Sequence, residues 1–262
     1  MEQIMKITQI RNATQIIQYA GKTFLIDPLL APKGSYPGFA GTARAEIRNP
    51  TVELPCDLTA LLNVDALIVT HLHEDHWDET ASRVIPKDKL IYVQNEQDAE
   101  SLNKQGFTHL TVLTNETKFG DITLHKTTGQ HGSDRTYADP AMAKRLGAAC
   151  GVVFQHPTEK TLYLAGDTLW RDDVEVTMLT FQPEVVVLNA GFAHVLGHGA
   201  IIMGAEDILK THFTLPEAQI VATHMEAVNH CLLTRDALKE YARDNQIIEF
   251  VNVPEDGETL TF

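Results

Sequence analysis

The stretch Val69–Glu79, which reads VTHLHEDHWDE, constrains the fold and chemistry of this chain more than any other. It places His71, His73, Asp75 and His76 directly after the apolar run ALIV. Side chains at positions i and i+2 of an extended strand share a face, so the first two histidines can project together from a strand end. The Asp–His pair then lies on the following turn and can serve a second ion. Neutral imidazole and carboxylate are good ligands for zinc, manganese and iron, so the spacing predicts a metal site.

Three further candidate ligands follow apolar runs elsewhere in the chain. A catalytic metal usually takes three protein ligands plus water, so the early cluster needs such partners. His131 follows ITLHKTTGQ, Asp167 follows TLYLAG, and His224 follows AQIVAT. Sites in α/β sheets commonly form beyond the carboxyl ends of strands. The four segments therefore predict one shared metal site.

The order of apolar and helical segments predicts one layered domain over residues 1–262. A buried strand is predicted at DALIV, and further strands at KLIYVQN, HLTVL, ITLHKT, GVVFQH, TLYLAG, EVVVLNA and AQIVATH. Helices are predicted at DETASRVI, EQDAESLNKQ, MGAEDILKTHF and TRDALKEYARDN, the last with Thr234 as its N-cap. Strands with helices before, between and after them indicate an α/β or α+β domain. The Pro- and Gly-rich segment Pro28–Asp57 is expected to be a loop that walls a pocket.

Charge and composition limit the classes of binding partner that are expected for this chain. The formal net charge of −14 argues against a protein that grips a nucleic-acid backbone through Lys and Arg. No apolar run is long enough to cross a bilayer, and the N-terminus lacks an apolar signal core. Cys56, Cys150 and Cys231 form no CxxC pair, which suits a reduced, cytoplasmic chain. We expect a small-molecule substrate, no nucleic acid and no membrane partner, and leave a homo-oligomer open.

The motif THLHEDH, together with His131, the GDT that contains Asp167, and the strand-terminal His224, resembles the metallo-β-lactamase fold superfamily. Within it, the chain is similar to the hydrolase branch that includes ascorbate-6-phosphate lactonase-like proteins. The opening hairpin that ends in FLIDP also fits, so the resemblance spans nearly the whole chain. It implies a four-layer αββα sandwich with two metal sites on its edge. Two divalent ions are expected, zinc first, with manganese or iron as alternatives.

The resemblance also implies how the ligands divide between the two ions. The implied division is a first site of His71, His73 and His131, a second site of Asp75, His76 and His224, and a bridge at Asp167.

The expected chemistry is hydrolysis. Two cations that share Asp167 would lower the pKa of a water between them from about 15.7 towards about 7, which makes a metal-bridging hydroxide available. No protein nucleophile is needed, and no G-x-S-x-G elbow occurs. We therefore predict a dinuclear hydrolase of a small ester, lactone or phosphoester. Asp75 is a catalytic candidate because it can also position the nucleophile or handle a proton.

His194 is the second catalytic candidate, as a substrate contact or proton donor after the strand EVVVLNA. A packed or solvated histidine in a glycine-rich loop is the alternative for His194 and for His198. His230 is expected to be structural or to lie behind a ligand. The roles of Trp77 and Trp170 are left open between pocket wall and core packing.

Two other classes of protein share this kind of ligand set. A di-iron or mononuclear iron oxidoreductase of the same fold is one, although the oxygen-reducing branch typically carries Glu where this chain has His73. No flavin or rubredoxin segment is recognised either. A non-catalytic metal-binding protein is the other, and a complete ligand set argues against it.

Overall fold

The computed structural model describes residues 4–262, and most of the chain's apolar runs form two seven-stranded β-sheets. The first sheet has the spatial order β16 (Thr259–Thr261), β1 (Lys6–Arg11), β2 (Thr14–Tyr19), β3 (Lys22–Ile26), β4 (Ala66–Val69), β5 (Ile91–Val93) and β6 (Leu110–Val112). The second has the order β15 (Val251–Asn252), β14 (Gln219–Thr223), β11 (Val185–Asn189), β10 (Leu162–Leu164), β9 (Ala149–Gln155), β8 (Ile122–Gly129) and β7 (Thr117–Phe119). A short hairpin joins β12 (His194–Val195) to β13 (Gly199–Ala200).

The central core lies between the two sheets. Successive strand residues point to opposite faces, and β9 shows the consequence. Val152 and Phe154 pack in the core shared by both sheets, whereas Val153 packs in the core on the outer side of its own sheet. Phe24 of β3 meets Phe154 edge to face, with ring centroids 5.4 Å apart. The sheets are therefore stacked face to face through apolar side chains.

Helices cover both outer faces. The first sheet is covered by α1 (Leu58–Leu62), α2 (Glu79–Val84) and α3 (Glu96–Lys104). The second is covered by α6 (Asp172–Phe181), α7 (Ala205–Thr214) and α8 (Arg235–Asp244). Two short helices, α4 (Asp134–Tyr137) and α5 (Pro140–Leu146), lie in the segment after His131. This arrangement confirms the predicted α/β class and its four-layer αββα sandwich.

Strand direction brings the candidate ligands to one edge. β4 is parallel to β3 and β5, and β10 is parallel to β11, which is parallel to β14. β8 and β10 are each antiparallel to β9 and so run in the same direction. The sheets are joined at this edge, where the N–H of Cys150 donates to the carbonyl of Thr70 and that of His224 donates to the carbonyl of Asn12. The predicted convergence of carboxyl ends is confirmed.

A long loop, residues 27–57, connects β3 to α1, and a buried arginine fastens it. The guanidinium of Arg11 donates to the carbonyls of Leu29, Ala31 and Val52 at 2.6, 2.9 and 3.0 Å. Its side chain is fully buried. The start and end of the loop are therefore held to the end of β1. Among residues 4–262, no helix combines the length and apolar character that a bilayer crossing needs.

Candidate functional site

The turn after β4 positions the early cluster. β4 is buried along its whole length, and the chain leaves the sheet immediately after it. The N–H groups of His76 and Trp77 both donate to the carbonyl of His73, at 2.9 and 2.8 Å, which closes a tight turn. Asp78 then begins α2 by accepting a hydrogen bond from the N–H of Ala81. Side chains on this turn consequently face several directions around one point.

The three later candidates lie beside this turn. His131 follows β8, Asp167 follows β10 and His224 follows β14, and each is at most 3% exposed. His224 has φ of 60°, in the left-handed region that side chains other than glycine rarely adopt. Strained backbone of this kind is concentrated at functional sites. The structure thus brings all seven predicted residues together.

The first group of ligand atoms consists of three histidine nitrogens. His71, His73 and His131 each offer one nitrogen, and these atoms lie within 4.8 Å of one another. Nε2 of His71 is 2.9 Å from Nδ1 of His73. Oδ2 of Asp167 lies 3.4 Å from Nε2 of His131 and 3.9 Å from Nε2 of His71. Asp167 is therefore placed beside this group.

The second group mixes imidazole and carboxylate. Asp75, His76 and His224 also have ligand atoms within 4.8 Å of one another. Nε2 of His224 is 3.1 Å from Nε2 of His76 and 3.2 Å from Oδ2 of Asp75. Asp167 places Oδ2 3.2 Å from Nε2 of His76 and Oδ1 3.7 Å from Nε2 of His224. Its carboxylate thus lies between the two groups, where a bridging ligand would lie.

These separations fit divalent ions. A tetrahedral ion with bonds of about 2.0–2.1 Å to nitrogen holds its ligand atoms roughly 3.3 Å apart. The ligand atoms described above are 2.9–3.9 Å apart. Buried lone pairs facing one another at such distances need a shared cation or proton between them. The donor set, five imidazoles and two carboxylates, suits zinc, manganese or iron.

Each histidine in the two groups has its outer nitrogen occupied. Nδ1 of His76 lies 2.8 Å from Oδ2 of Asp27, and Nδ1 of His131 lies 2.8 Å from the carbonyl oxygen of Ile201. Nε2 of His73 lies 3.1 Å from the carbonyl oxygen of Arg145. Such outer partners fix which nitrogen carries the proton and leave the inner one free for a metal.

The remaining two histidines have weaker outer partners. Nδ1 of His71 lies 3.2 Å from Oγ1 of Thr70, and Nδ1 of His224 lies 3.4 Å from Sγ of Cys231. All five rings are therefore oriented from behind, as metal-binding histidines usually are.

The electrostatics of the cluster favour a bound cation. Burial raises the pKa of Asp75 and of Asp167, but the surrounding imidazoles outweigh it and hold both well below the usual range. Burial lowers the pKa of His76, but the carboxylates of Asp167, Asp27 and Asp75 outweigh it and raise the pKa to about 10. The carboxylates of Asp75 and Asp167 are ionised and concentrate negative charge around one ring. A divalent ion would replace the proton that His76 otherwise retains.

The first group behaves differently. Burial lowers the pKa of His131 to about 4, and the attraction of Asp167 offsets only part of this effect. Burial, followed by the neighbouring rings of His76 and His73, takes the pKa of His71 well below its ordinary value. The rings of His71 and His131 are neutral at pH 7 and present free lone pairs, which is the state that metal binding requires.

A cavity of about 230 Å³ opens over the cluster. His73, Asp75 and His131 reach it from the ligand groups. Four other wall residues are polar, namely Thr42, Glu74, Arg145 and His230. The remaining four are apolar, namely Phe39, Leu146, Val195 and Ile201. Phe39 and Thr42 belong to the segment 28–57, which agrees with the prediction that this loop walls a pocket.

The weaker candidates lie elsewhere. His194 is not part of the cavity wall, and its ring meets Phe192 with centroids 4.4 Å apart, so its catalytic role stays a prediction. His198 lies 4.0 Å from a carboxylate oxygen of Asp139. Trp77 packs on Phe107 in the core beneath α2 and α3. Trp170 packs at the margin of the core beneath α6 to α8, so neither tryptophan walls the cavity.

Several site residues were not identified from sequence. Asp27 supports His76 through its carboxylate, whereas Arg145 and Ile201 support other ligands through backbone carbonyls, which any residue can supply. His230 lines the cavity, whereas the sequence suggested a structural role or a position behind a ligand. Of these residues, Asp27 in FLIDP could have been identified from sequence, because it is an acidic residue that follows an apolar strand, as Asp167 does.

Comparison with known proteins agrees with this geometry. Residues 22–225 match the family described as the beta-lactamase superfamily domain. The UPF0173 protein YddR of Bacillus subtilis (strain 168) is 47% identical over 259 residues, which are 98% of this chain and 100% of that protein. A UPF0173 metal-dependent hydrolase of Azorhizobium caulinodans is 24% identical over 218 residues, 81% of this chain and 84% of its own length.

Two solved structures superpose closely. An isothiocyanate hydrolase from Delia radicum gut bacteria has a TM-score of 0.97 and 53% identity, covering 98% of this chain and 99% of that one. A possible metal-dependent hydrolase from Veillonella parvula has a TM-score of 0.97 and 46% identity, covering 99% and 100%. The chain belongs to the metallo-β-lactamase fold superfamily as a metal-dependent hydrolase of the UPF0173 family.

Proposed function

We propose that the chain hydrolyses a small, neutral, electrophilic substrate, with an organic isothiocyanate as the first candidate. The observation that carries this proposal is the 53% identity, over nearly both full lengths, to an isothiocyanate hydrolase. The small cavity over the ligand groups, whose wall is apolar in part, supports it. An isothiocyanate carries an electrophilic N=C=S group at one end and an apolar substituent at the other. Its binding site therefore needs polar groups beside the N=C=S carbon and apolar side chains around the substituent.

The reaction balances with water alone. Water adds to the central carbon of R–N=C=S: its oxygen forms a new C–O bond, one proton goes to nitrogen and the other to sulfur, giving R–NH–C(=O)–SH. The C–N bond then breaks as the proton on sulfur passes to nitrogen, which releases the amine R–NH₂ and carbonyl sulfide. No oxidant, reductant or protein nucleophile takes part.

We propose two divalent ions, zinc first, held by the two ligand groups with Asp167 between them. When bound, such ions supply Lewis-acid chemistry: they lower the pKa of a bound water towards neutrality and stabilise negative charge that develops on the substrate. Asp75 has Oδ2 3.2 Å from His224 and also lines the cavity. Its carboxylate can accept a hydrogen bond from the attacking water and so orient it towards the substrate carbon.

The cavity limits the size and charge of the substrate. Drug-sized ligands occupy pockets of about 300–1,000 Å³, so a cavity of about 230 Å³ suits a smaller molecule. Leu146, Val195 and Ile201 are all buried and offer apolar surface to a substituent. The cavity wall pairs one acid, Glu74, with one base, Arg145, so it offers no excess of basic residues to select a phosphoester. Of the classes predicted from sequence, a small ester or lactone is thus the second candidate.

The test is turnover by metal-loaded protein against a panel of allyl, benzyl and phenyl isothiocyanates, a lactone and a phosphodiester. We expect release of many equivalents of amine per chain, abolished by chelation and restored by zinc. Thiols and amines also react with isothiocyanates without catalysis, and Cys56 is exposed. Cys56→Ser protein therefore serves as the parent. Amine release by the Asp167→Ala variant of that parent gives the uncatalysed background rate. A burst of one equivalent, or hydrolysis of the lactone alone, would contradict the isothiocyanate proposal.

A further inference from the structure

His230 is the histidine of the cavity wall that takes no part in either ligand group. Its side chain lies almost fully buried, and it lines the cavity together with His73 and His131. Those two rings each have an outer hydrogen-bond partner and an inner nitrogen in the first group. By contrast, the buried Nδ1 of His230 has no hydrogen-bond partner among residues 4–262.

An unpartnered buried polar atom is costly, by about 1–3 kcal/mol, and native proteins keep few of them. This free-energy cost is smaller for an unpaired acceptor nitrogen than for an unpaired N–H group, since buried N–H groups without a partner are rarer in native proteins. The neutral ring of His230 therefore carries its proton on Nε2, on the other edge of the imidazole. That edge leaves one donor for a molecule in the cavity.

The position of the ring is fixed from several sides. The carbonyl of His230 accepts a hydrogen bond from the N–H of His194 at 3.0 Å. Its ring meets Phe39 edge to face, with centroids 5.0 Å apart. The preceding residue, Asn229, accepts from the side chain of Asn49 at 2.8 Å and donates to Oγ1 of Thr42 at 2.9 Å. Loop 27–57 thus holds His230 in place before any substrate binds.

We propose that His230 is a further catalytic residue, which donates a hydrogen bond from Nε2 to the substrate atom that gains negative charge under attack. In an isothiocyanate this atom is the nitrogen or sulfur bonded to the attacked carbon, so the inference rests on the proposed function. A preorganised donor of this kind stabilises the transition state more than the neutral ground state. No covalent step is assigned to His230.

Three variants test the role. His230→Gln keeps an amide donor near the position of Nε2, His230→Asn keeps one nearer Nδ1, and His230→Ala keeps none. We expect His230→Ala to lower kcat by about 10²-fold, the loss typical of one such donor, with KM changed much less. His230→Gln should recover at least about tenfold over His230→Ala, and His230→Asn should not.

The matched control is His212→Ala. His212 is a histidine of α7 whose buried Nδ1 likewise has no partner in the described part of the chain, but it packs on Phe250 away from the cavity. Bound metal per chain and the thermal midpoint are measured for every variant. Parent-like kcat in His230→Ala, or an equal loss in His230→Ala and His230→Gln at full metal content, would overturn the proposal.

A binding measurement keeps the outcome separate from that of the proposed function. Sodium thiocyanate, a linear N–C–S anion, is titrated by calorimetry into metal-loaded parent, His230→Gln and His230→Ala proteins. We expect His230→Ala to bind it at least about fivefold more weakly than the other two, as for loss of one charge-assisted hydrogen bond. If no isothiocyanate is hydrolysed but this difference in affinity persists, the proposed substrate is wrong and the proposed hydrogen bond from His230 is supported. Equal affinity in all three proteins overturns the role of His230.

Discussion

Nδ1 of His76 lies 2.8 Å from Oδ2 of Asp27, while Nε2 of the same ring faces His224 at 3.1 Å. The carboxylate of Asp27 is itself fixed, because it also accepts hydrogen bonds from the N–H and the hydroxyl of Thr70, each at 2.7 Å. Asp27 therefore keeps the proton of His76 on Nδ1 when a metal is bound and presents the lone pair of Nε2 to the ion.

Replacement of Asp27 by Asn should weaken metal binding without removing a ligand. The amide is neutral and lowers the basicity of His76, so we expect affinity for zinc to fall about 10–100-fold. Competition with a fluorescent chelator measures this change. Asp88→Asn, an exposed position before β5, is the control. Equal affinities in the two variants would show that Asp27 only supports the fold.

Strands such as β4 and β11 were predictable because they are continuous apolar runs. All five residues of β11 are buried, and the run VVVLN reads as a buried strand in sequence. Helix α6 was not predicted, because its segment DDVEVTMLTF is rich in β-branched residues, which have low helix propensity. Packing of Val174 and Met178 against the second sheet outweighs that propensity.

The sequence pointed to the seven candidate ligands that the fold brings together, but not to most of their surroundings. Asp167 and His224 could be identified because each follows an apolar run at a strand end, and the fold brings these ends to one edge. Ile201 supports His131 through its carbonyl, which leaves no signal in the side chain. The cavity position of His230 depends on how loop 27–57 folds back, and local pattern does not encode that path.

Removal of Asp167 should affect both ions, whereas removal of His73 should affect one. Asp167 lies beside both ligand groups, and His73 belongs only to the first. We expect Asp167→Ala to bind little metal at either site, and His73→Ala to retain about one ion per chain. Loss of several kcal/mol of charge stabilisation predicts at least about 10²-fold slower turnover in Asp167→Ala. Elemental analysis of dialysed protein measures occupancy, and two ions retained by Asp167→Ala would contradict a bridging role.

Metal loading should release protons from the second group. In the metal-free protein the pKa of His76 is raised to about 10, so its ring is protonated at pH 7.5, and the pKa of His224 is raised as well. Ligands must lose their protons to bind, so zinc should displace at least about one proton per chain at that pH. As the pH rises towards 10, fewer protons remain to be displaced and the affinity should increase. Calorimetry in buffers of different ionisation enthalpy measures the release, and heats independent of buffer would contradict this prediction.

Arg11 should control the order of loop 27–57. Arg11→Met removes the donors to the carbonyls of Leu29, Ala31 and Val52 and leaves these groups unpaired. We expect the free energy of unfolding to fall by about 3–5 kcal/mol, because several buried carbonyl groups lose their hydrogen-bond donor. Hydrogen exchange in residues 28–57 should accelerate more than elsewhere. The control is Arg83→Met, at an exposed position of α2, and unchanged exchange in the loop of the Arg11 variant would contradict the prediction.

The apolar wall should set the size of the accepted substituent. Leu146 is buried at the end of α5 and lines the cavity, so Leu146→Ala widens it and should favour phenethyl over allyl isothiocyanate. A change of one or more methylene groups in an apolar pocket alters discrimination by about 10–200-fold, and we expect a shift within that range in the ratio of kcat/KM values. Val195→Phe narrows the same wall and should shift the ratio in the opposite direction. Leu179→Ala, at a largely exposed position of α6, should leave the ratio unchanged. Parallel changes for both substrates in both cavity variants would mean that this wall does not contact the substituent.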